Sequence, residues 1–229
     1  MSKIKNELGI VVALDTDDIN FIFDLVGRIE AAKGNFVLKI GRLLEMRHGI
    51  NIISDIRDSC NLPIIYDGKI ADIPYISAKI AESAYNAGAD AVIVHGFVGK
   101  DVVEAVAELE MGDVIVVGAM SHPGFPLSYT GFKHPANLWD IVATVNEVAD
   151  GIVLPATRPE VIHEVAGMLD PDVYIIAPGV GAQGAKVGDA FAAGATYEIV
   201  GRLITENRNP LGMAEYCYGC GSIARGNIE

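Results

Sequence analysis

The chain has 229 residues, 51% of them hydrophobic, with 25 glycines and 10 prolines scattered singly; this excludes a disordered or fibrous protein and predicts a substantial core. Its 30 acidic residues outnumber 17 basic ones, for a formal net charge of -13. Without a run of five basic residues, binding to nucleic acid through phosphate neutralisation is not expected. Met1–Glu7 leads into an apolar run too brief and too polar-flanked for a signal peptide or a membrane span, so a soluble cytoplasmic protein with no membrane partner is expected. Three cysteines give no disulfide framework.

Short Val- and Ile-rich runs alternate with longer amphipathic segments, the pattern of βα units. The strand candidate Gly9–Leu14 leads to a helix over Asp18–Ala32, with Asp17-Asp18 as its start signal. Asn35–Ile40 precedes a helix over Arg42–Arg57, Pro63–Tyr66 one over Ile76–Ala87, and Ala91–His95 one over Asp101–Glu108. Val114–Gly118 precedes Asn137–Val148, and Gly151–Leu154 precedes Pro159–Met168, opened by Thr157-Arg158-Pro159. Val173–Ala177 precedes Ala185–Ala193, and Glu198–Gly201 precedes Pro210–Ala224.

Eight such units with no dividing linker predict an α/β protein, a single-domain (β/α)8 TIM barrel over 1–229, because closure removes the two edges of an open parallel sheet. Asn86-Ala87-Gly88-Ala89-Asp90 and Ala192-Ala193-Gly194-Ala195-Thr196 echo one another, each ending a helix at a glycine and entering an apolar strand. An open doubly wound sheet is the runner-up, disfavoured by the strand count and by the lack of a GxGxxG turn after the first strand.

In such a barrel the chemistry sits at the C-terminal strand ends. Those ends carry Asp15, Lys39, Asp67 with Lys69 and Asp72 just beyond, His95, Ser121-His122 and Arg202. An isolated Asp-x-Lys is as readily a helix cap beside a solvated lysine, but Lys39 lies inside the apolar stretch Phe36–Ile40, where an ammonium is costly unless a carboxylate meets it. Two lysines and two carboxylates on adjacent strand ends make a network suited to proton transfer. The second cluster, Pro178-Gly179-Val180-Gly181-Ala182-Gln183-Gly184, is followed one unit later by Val200-Gly201-Arg202. Glycines admit backbone amides to an anion, a helix N-terminus adds a favourable dipole and Arg is a bidentate partner, so these two loops read as a phosphate site.

Asp67-x-Lys69-x-x-Asp72-Ile73-Pro74, Met120-Ser121-His122-Pro123-Gly124, the Pro178–Gly184 loop and Val200-Gly201-Arg202 together resemble orotidine 5′-monophosphate decarboxylase of the archaeal type. The likeness runs from Ala13-Leu14-Asp15 and Leu38-Lys39-Ile40-Gly41 to Arg202, in the family's order. It implies decarboxylation of orotidine 5′-monophosphate to uridine 5′-monophosphate without metal or cofactor. It also implies that Lys69 protonates C6 and that Asp67 lies beside the substrate carboxylate, with Lys39 and Asp72 completing an alternating charge network. By the same resemblance Asp15 and Lys39 hold the ribose hydroxyls, Ser121 the pyrimidine, and Gln183, Gly201 and Arg202 the phosphate. Pro178, Gly179, Val180, Gly181 and Gly184 surround that phosphate, and Ile73 and Ile76 flank a site shared within a homodimer through Asp72. Ser121–Pro135, broken by Pro123-Gly124, Pro126, Gly131 and Pro135, is the candidate lid. The sequence departs from the family at Gly68, where a bulky apolar residue is usual, and at Tyr75-Ile76, where a small hydroxyl is usual.

His95 and His122 lack a carboxylate at metal-ligand spacing and read as hydrogen-bonding wall residues; Cys217-x-x-Cys220 lacks a second pair and reads as structural; Trp139 reads as packing. Two other functions fit the barrel less well. One is a Mg2+-dependent phosphosugar enzyme of the same superfamily, such as 3-keto-L-gulonate 6-phosphate decarboxylase or hexulose phosphate synthase, against which stand Ile73-Pro74, Ser121–Gly124 and Gln183. The other is a silent nucleotide-binding barrel, which gains little from so many opposed charges.

Overall fold

The computed structural model describes residues 3–122, 124–125 and 138–226. The parallel strands β1 (Gly9–Ala13), β2 (Phe36–Gly41), β3 (Ile64–Ile70), β4 (Ala91–His95), β5 (Asp113–Val117), β6 (Gly151–Val153), β7 (Tyr174–Pro178) and β8 (Tyr197–Val200) close in sequence order, β8 pairing with β1. Around them lie α1 (Ile19–Glu30), α2 (Arg42–His48), α3 (Ile52–Arg57), α4 (Pro74–Asn86) and α5 (Lys100–Ala107), the last preceded by a 3-10 turn over Gly96–Val98. The ring continues with α6 (Leu138–Val148), α7 (Pro159–Ala166), α8 (Asp189–Ala192), α9 (Arg202–Thr205) and α10 (Pro210–Gly226).

Strand side chains alternate between two apolar layers, which is why the strand sequences read as continuous hydrophobic runs. Val11, Ala13, Val37, Ile65, Ile93, Ile115 and Val117 fill the lumen, while Ile10, Val12, Leu38, Ile40, Tyr66 and Val94 meet the helices. The N-terminal segment closes the floor: Ile4 is buried in the lumen cluster, and the Lys3 and Ile4 amides donate to Asp113 at 2.6 and 2.8 Å. The opposite end stays open.

Several boundaries differ from the sequence expectation. The helix expected over Arg42–Arg57 is two helices, because Gly49 at φ 76 ends the first with its amide donating to Glu45. β3 runs on to Ile70, past the polar and glycine residues that hide its end in the sequence. α4 starts at Pro74, two residues before Ile76, since proline is tolerated at the first helical position. Of Ala185–Ala193 only Asp189–Ala192 is helical, because Ala185 bridges back to Val180. Arg202–Thr205 forms an unexpected short helix, and Asn137, Pro123 and the candidate lid from Pro126 through Pro135 lie outside the described residues.

Candidate active site

Strand alternation continues into the charged residues at the open end. Lys39 follows Val37 into the lumen and Asp67 follows Ile65, in adjacent strands whose register pairs Lys39 with Ile65 and Gly41 with Asp67. The Lys39 ammonium lies 3.1 Å from the Asp67 carboxylate and 3.3 Å from Asp15. Lys69 donates to both Asp67 oxygens, at 2.7 and 2.8 Å. Side-chain exposure is 6% for Lys39 and 9% for Asp67 but 37% for Lys69, so a buried pair presents a reachable ammonium.

Burial alone would raise the Asp67 pKa, but Lys39 and Lys69 outweigh it and hold the carboxyl below its ordinary value. Burial would likewise lower Lys39, and Asp67 and Asp15 reverse that and raise it. Both groups are therefore charged at neutral pH. The backbone adds a constraint: Lys69 sits at φ 44, a conformation disfavoured for any residue with a Cβ, at the shift of register between Tyr66 and Ile70 in the β3–β4 pairing. Strain of this kind persists only where the surroundings enforce it, here through the bidentate Asp67 contact. Gly41 is a further requirement, since a Cβ there would collide with the Asp15 carboxylate and crowd the Lys39 ammonium.

These groups line a cleft of about 320 Å³. Of the residues singled out in the sequence, Asp15, Lys39, Asp67, Lys69, Ser121, Pro178, Gly179, Val180, Gln183, Gly201 and Arg202 form its wall. Gly181 and Gly184 do not; they shape the loop behind it, where Gly184 donates to Gly181 at 2.9 Å and Gly181 to Ala185 at 2.8 Å. Asp72, Ile73 and Ile76 also stay outside, exposed on the same chain. The α8 amides are taken up by the Glu198 carboxylate, whereas the short α9 opens at Gly201 and Arg202, both on the cleft wall.

A scan against family models matches residues 9–216 to the orotidine 5′-phosphate decarboxylase / HUMPS family. The chain belongs to this family. It is 39% identical over 217 residues to orotidine 5′-phosphate decarboxylase of Thermococcus kodakarensis, covering 93% of this chain and 96% of that protein. It is 41% identical over 213 residues to the Pyrococcus abyssi decarboxylase, covering 91% and 97%. The crystal structure of the Pyrococcus horikoshii decarboxylase superposes with a TM-score of 0.80 at 37% identity, over 93% of this chain and 99% of that one. The Methanocaldococcus jannaschii decarboxylase, solved in complex with the inhibitor BMP, gives 0.80 at 34% identity, covering 93% and 98%.

Sequence reasoning missed most of the apolar part of this decarboxylase-family cleft: besides Met120 of the Met120–Gly124 motif, Ile93, Val117, Val153 and Ile199 also line it. In the sequence they are indistinguishable from core strand residues, and only the strand ends' position exposes them. His95 stays off the cleft wall; it is half-buried, stacked on Phe97, and its pKa is lowered by burial and by Lys69. Trp139, expected to pack, is exposed, and burial pushes the Cys217 thiol up to about 12, so that thiol is unreactive at neutral pH.

The structure also explains the departure at Gly68. A Cβ there would collide with the ring of Tyr66, which is fully buried and donates to Glu45 at 2.8 Å. The bulk usual at position 68 is supplied from position 66. Gly68→Phe alone is expected to cost about 2–3 kcal/mol by overpacking and Tyr66→Ala alone about 3–4 kcal/mol by leaving a cavity. The double variant should recover at least about 2 kcal/mol of that sum in a urea-denaturation cycle, whereas strictly additive losses would show that the two positions do not share one volume.

Proposed function

We propose that the chain decarboxylates orotidine 5′-monophosphate to uridine 5′-monophosphate and CO2, with residues 1–229 acting as one decarboxylase domain. The observation that carries this reading is Asp67 clamped between Lys39 and Lys69 in a cleft whose wall also holds Gln183, Gly201 and Arg202. Arg202 and Gln183 bind the phosphate, Asp15 and Lys39 the ribose hydroxyls, and Ser121 the pyrimidine. The bond from C6 to the carboxylate breaks and its electron pair stays on C6, where no adjacent carbonyl can take it up. The Lys69 ammonium stabilises that charge and then transfers one proton to C6; solvent returns a proton to the neutral amine. Asp67 keeps Lys69 charged and opposes the departing carboxylate.

The deciding experiment follows the loss of orotidine 5′-monophosphate absorbance on adding the protein in EDTA. Turnover supports the reading; turnover of a sugar phosphate only after magnesium is restored would replace it with the metal-dependent chemistry of the superfamily.

The working form is a homodimer in which Asp72 enters the neighbouring copy's cleft. Asp72 is exposed, its carboxylate accepting the Ile73 amide at 2.7 Å, and among the described residues it makes no ion pair. Beside it Ile73 is 63% and Tyr75 69% exposed, an apolar surface suited to burial against a second copy. Mixing inactive Lys69→Ala and Asp72→Asn parents is expected to restore up to about a quarter of the activity, by statistical pairing of one intact site per mixed dimer. No recovery despite demonstrated subunit exchange would count against a shared site. No helix among the described residues is long and apolar enough to cross a membrane, and the protein acts in the cytoplasm by this reading.

A further inference from the structure

Glu198 plays no part in the chemistry above, yet it is a fully buried carboxylate with no cation paired to it among the described residues. It lies on β8 between Tyr197 and Ile199, which face the lumen, so its own side chain points to the helix layer. There Oε1 accepts the Gly188 amide at 2.9 Å and the Ala190 amide at 3.1 Å, and Oε2 accepts Gly188 at 3.1 Å. The other titratable groups facing it are acidic or neutral, Asp189 from α8 and Cys217 from α10. A buried carboxylate held only by amides is costly, so its position calls for a use.

That position links two parts of the cleft. The Gly188 and Ala190 amides lie at the far end of the segment that leaves β7 at Pro178 and carries Gln183; the same β8 strand runs on directly to Gly201 and Arg202. The segment's near end is held by β7 and its middle by the Val180 to Ala185 bridge, so Glu198 is the side chain that ties its far end to the strand bearing Arg202. We infer that Glu198 is a positioning residue that sets the spacing between Gln183 and Arg202, and so tunes affinity for the substrate phosphate. This rests on the decarboxylase reading of the cleft. An ionised carboxylate grips amides more firmly than a protonated one, and burial brings Glu198 up to about 7, so the grip loosens as pH falls through neutrality.

The test compares the parent with Glu198→Leu, which keeps the packing volume but offers no acceptor, and Glu198→Gln, which keeps one oxygen. Glu198→Leu is expected to raise KM for orotidine 5′-monophosphate about tenfold, with kcat within about threefold of the parent; its two unpaired amides lower the melting temperature, whereas Glu198→Gln melts close to the parent. Glu198→Gln, neutral and with one acceptor oxygen like the protonated parent, should recover only part of the KM at about pH 8 and match the parent at about pH 6. In the parent, KM should rise between about pH 8 and 6; in Glu198→Gln that rise should shrink to the part due to the substrate phosphate's own ionisation, near pH 6 in both proteins. An unchanged KM in Glu198→Leu overturns the inference, and if that variant does not fold, parallel KM profiles for the parent and Glu198→Gln do so. Failure of the parent itself to turn over the nucleotide would instead reject the decarboxylase reading.

Discussion

Lys69→Ala is expected to lower kcat/KM for orotidine 5′-monophosphate by about 10⁴-fold or more while leaving the fold intact. On the proposed mechanism one ammonium has two roles, countering charge as it develops on C6 and then delivering the proton. Such roles are each worth on the order of 10²- to 10⁴-fold when removed singly, and they fall together when one group carries both. Lys69 can be lost without unfolding because it is partly exposed and because Asp67 keeps Lys39 at 3.1 Å as a partner. The variant should therefore melt within a few degrees of the parent and still bind uridine 5′-monophosphate. A correctly folded variant retaining more than about one part in a hundred of the activity would remove Lys69 from the proton-donor role.

Asp67→Ala is expected to damage both stability and turnover. Lys39 is the most buried cation of the site, and removing its nearer partner leaves only Asp15 at 3.3 Å, a carboxylate that is 44% exposed. Breaking a buried pair by deleting one member costs roughly 3 kcal/mol or more, and Asp15 brings the expected loss to the low end of that range. The loss has a pH signature. Asp67 is held below its ordinary 3.8, so its contribution is fully present above that value and disappears as pH falls through the folded pKa. Lys39 is raised above 10.5, so its contribution is present below that value and disappears as pH rises through the folded pKa. The stability gap between parent and variant should thus form a plateau from about pH 4 to pH 10 and narrow beyond both ends, measured by urea unfolding. A gap that keeps widening below pH 4 would mean that Asp67 is not the stabilising carboxylate.

Much of this was legible before any coordinates. The βα alternation, repeated eight times without a break, implied a closed parallel barrel because each strand is apolar on both faces and needs cover on both. Lys39, Asp67 and Lys69 stood out because charges at the ends of apolar strands are affordable only in each other's company. The Gly-rich loop before β8 and Arg202 after it could be assigned to one wall because barrel closure makes consecutive loops neighbours.

The rest depended on distances between residues far apart in the chain. A period of two says which face a residue takes, but not where a strand stops, and so the apolar run points to an end at Tyr66 although β3 continues to Ile70. Propensity favoured a helix across Arg42–Arg57 and another from Ala185, while a left-handed glycine and a loop bridge ended or delayed them. Gly68, a departure in the sequence, is accounted for by the Tyr66 ring that takes the space of its side chain, and Glu198, in the sequence one more residue of a strand, holds the Gly188 and Ala190 amides with its carboxylate. The chain's own order therefore determined the barrel and its charged rim, because both follow from burial pattern and strand count. Packing alone decided the left-handed Lys69, the exposure of Asp72 and the tether at Glu198, because these arise from volumes and hydrogen bonds between segments that no local pattern encodes.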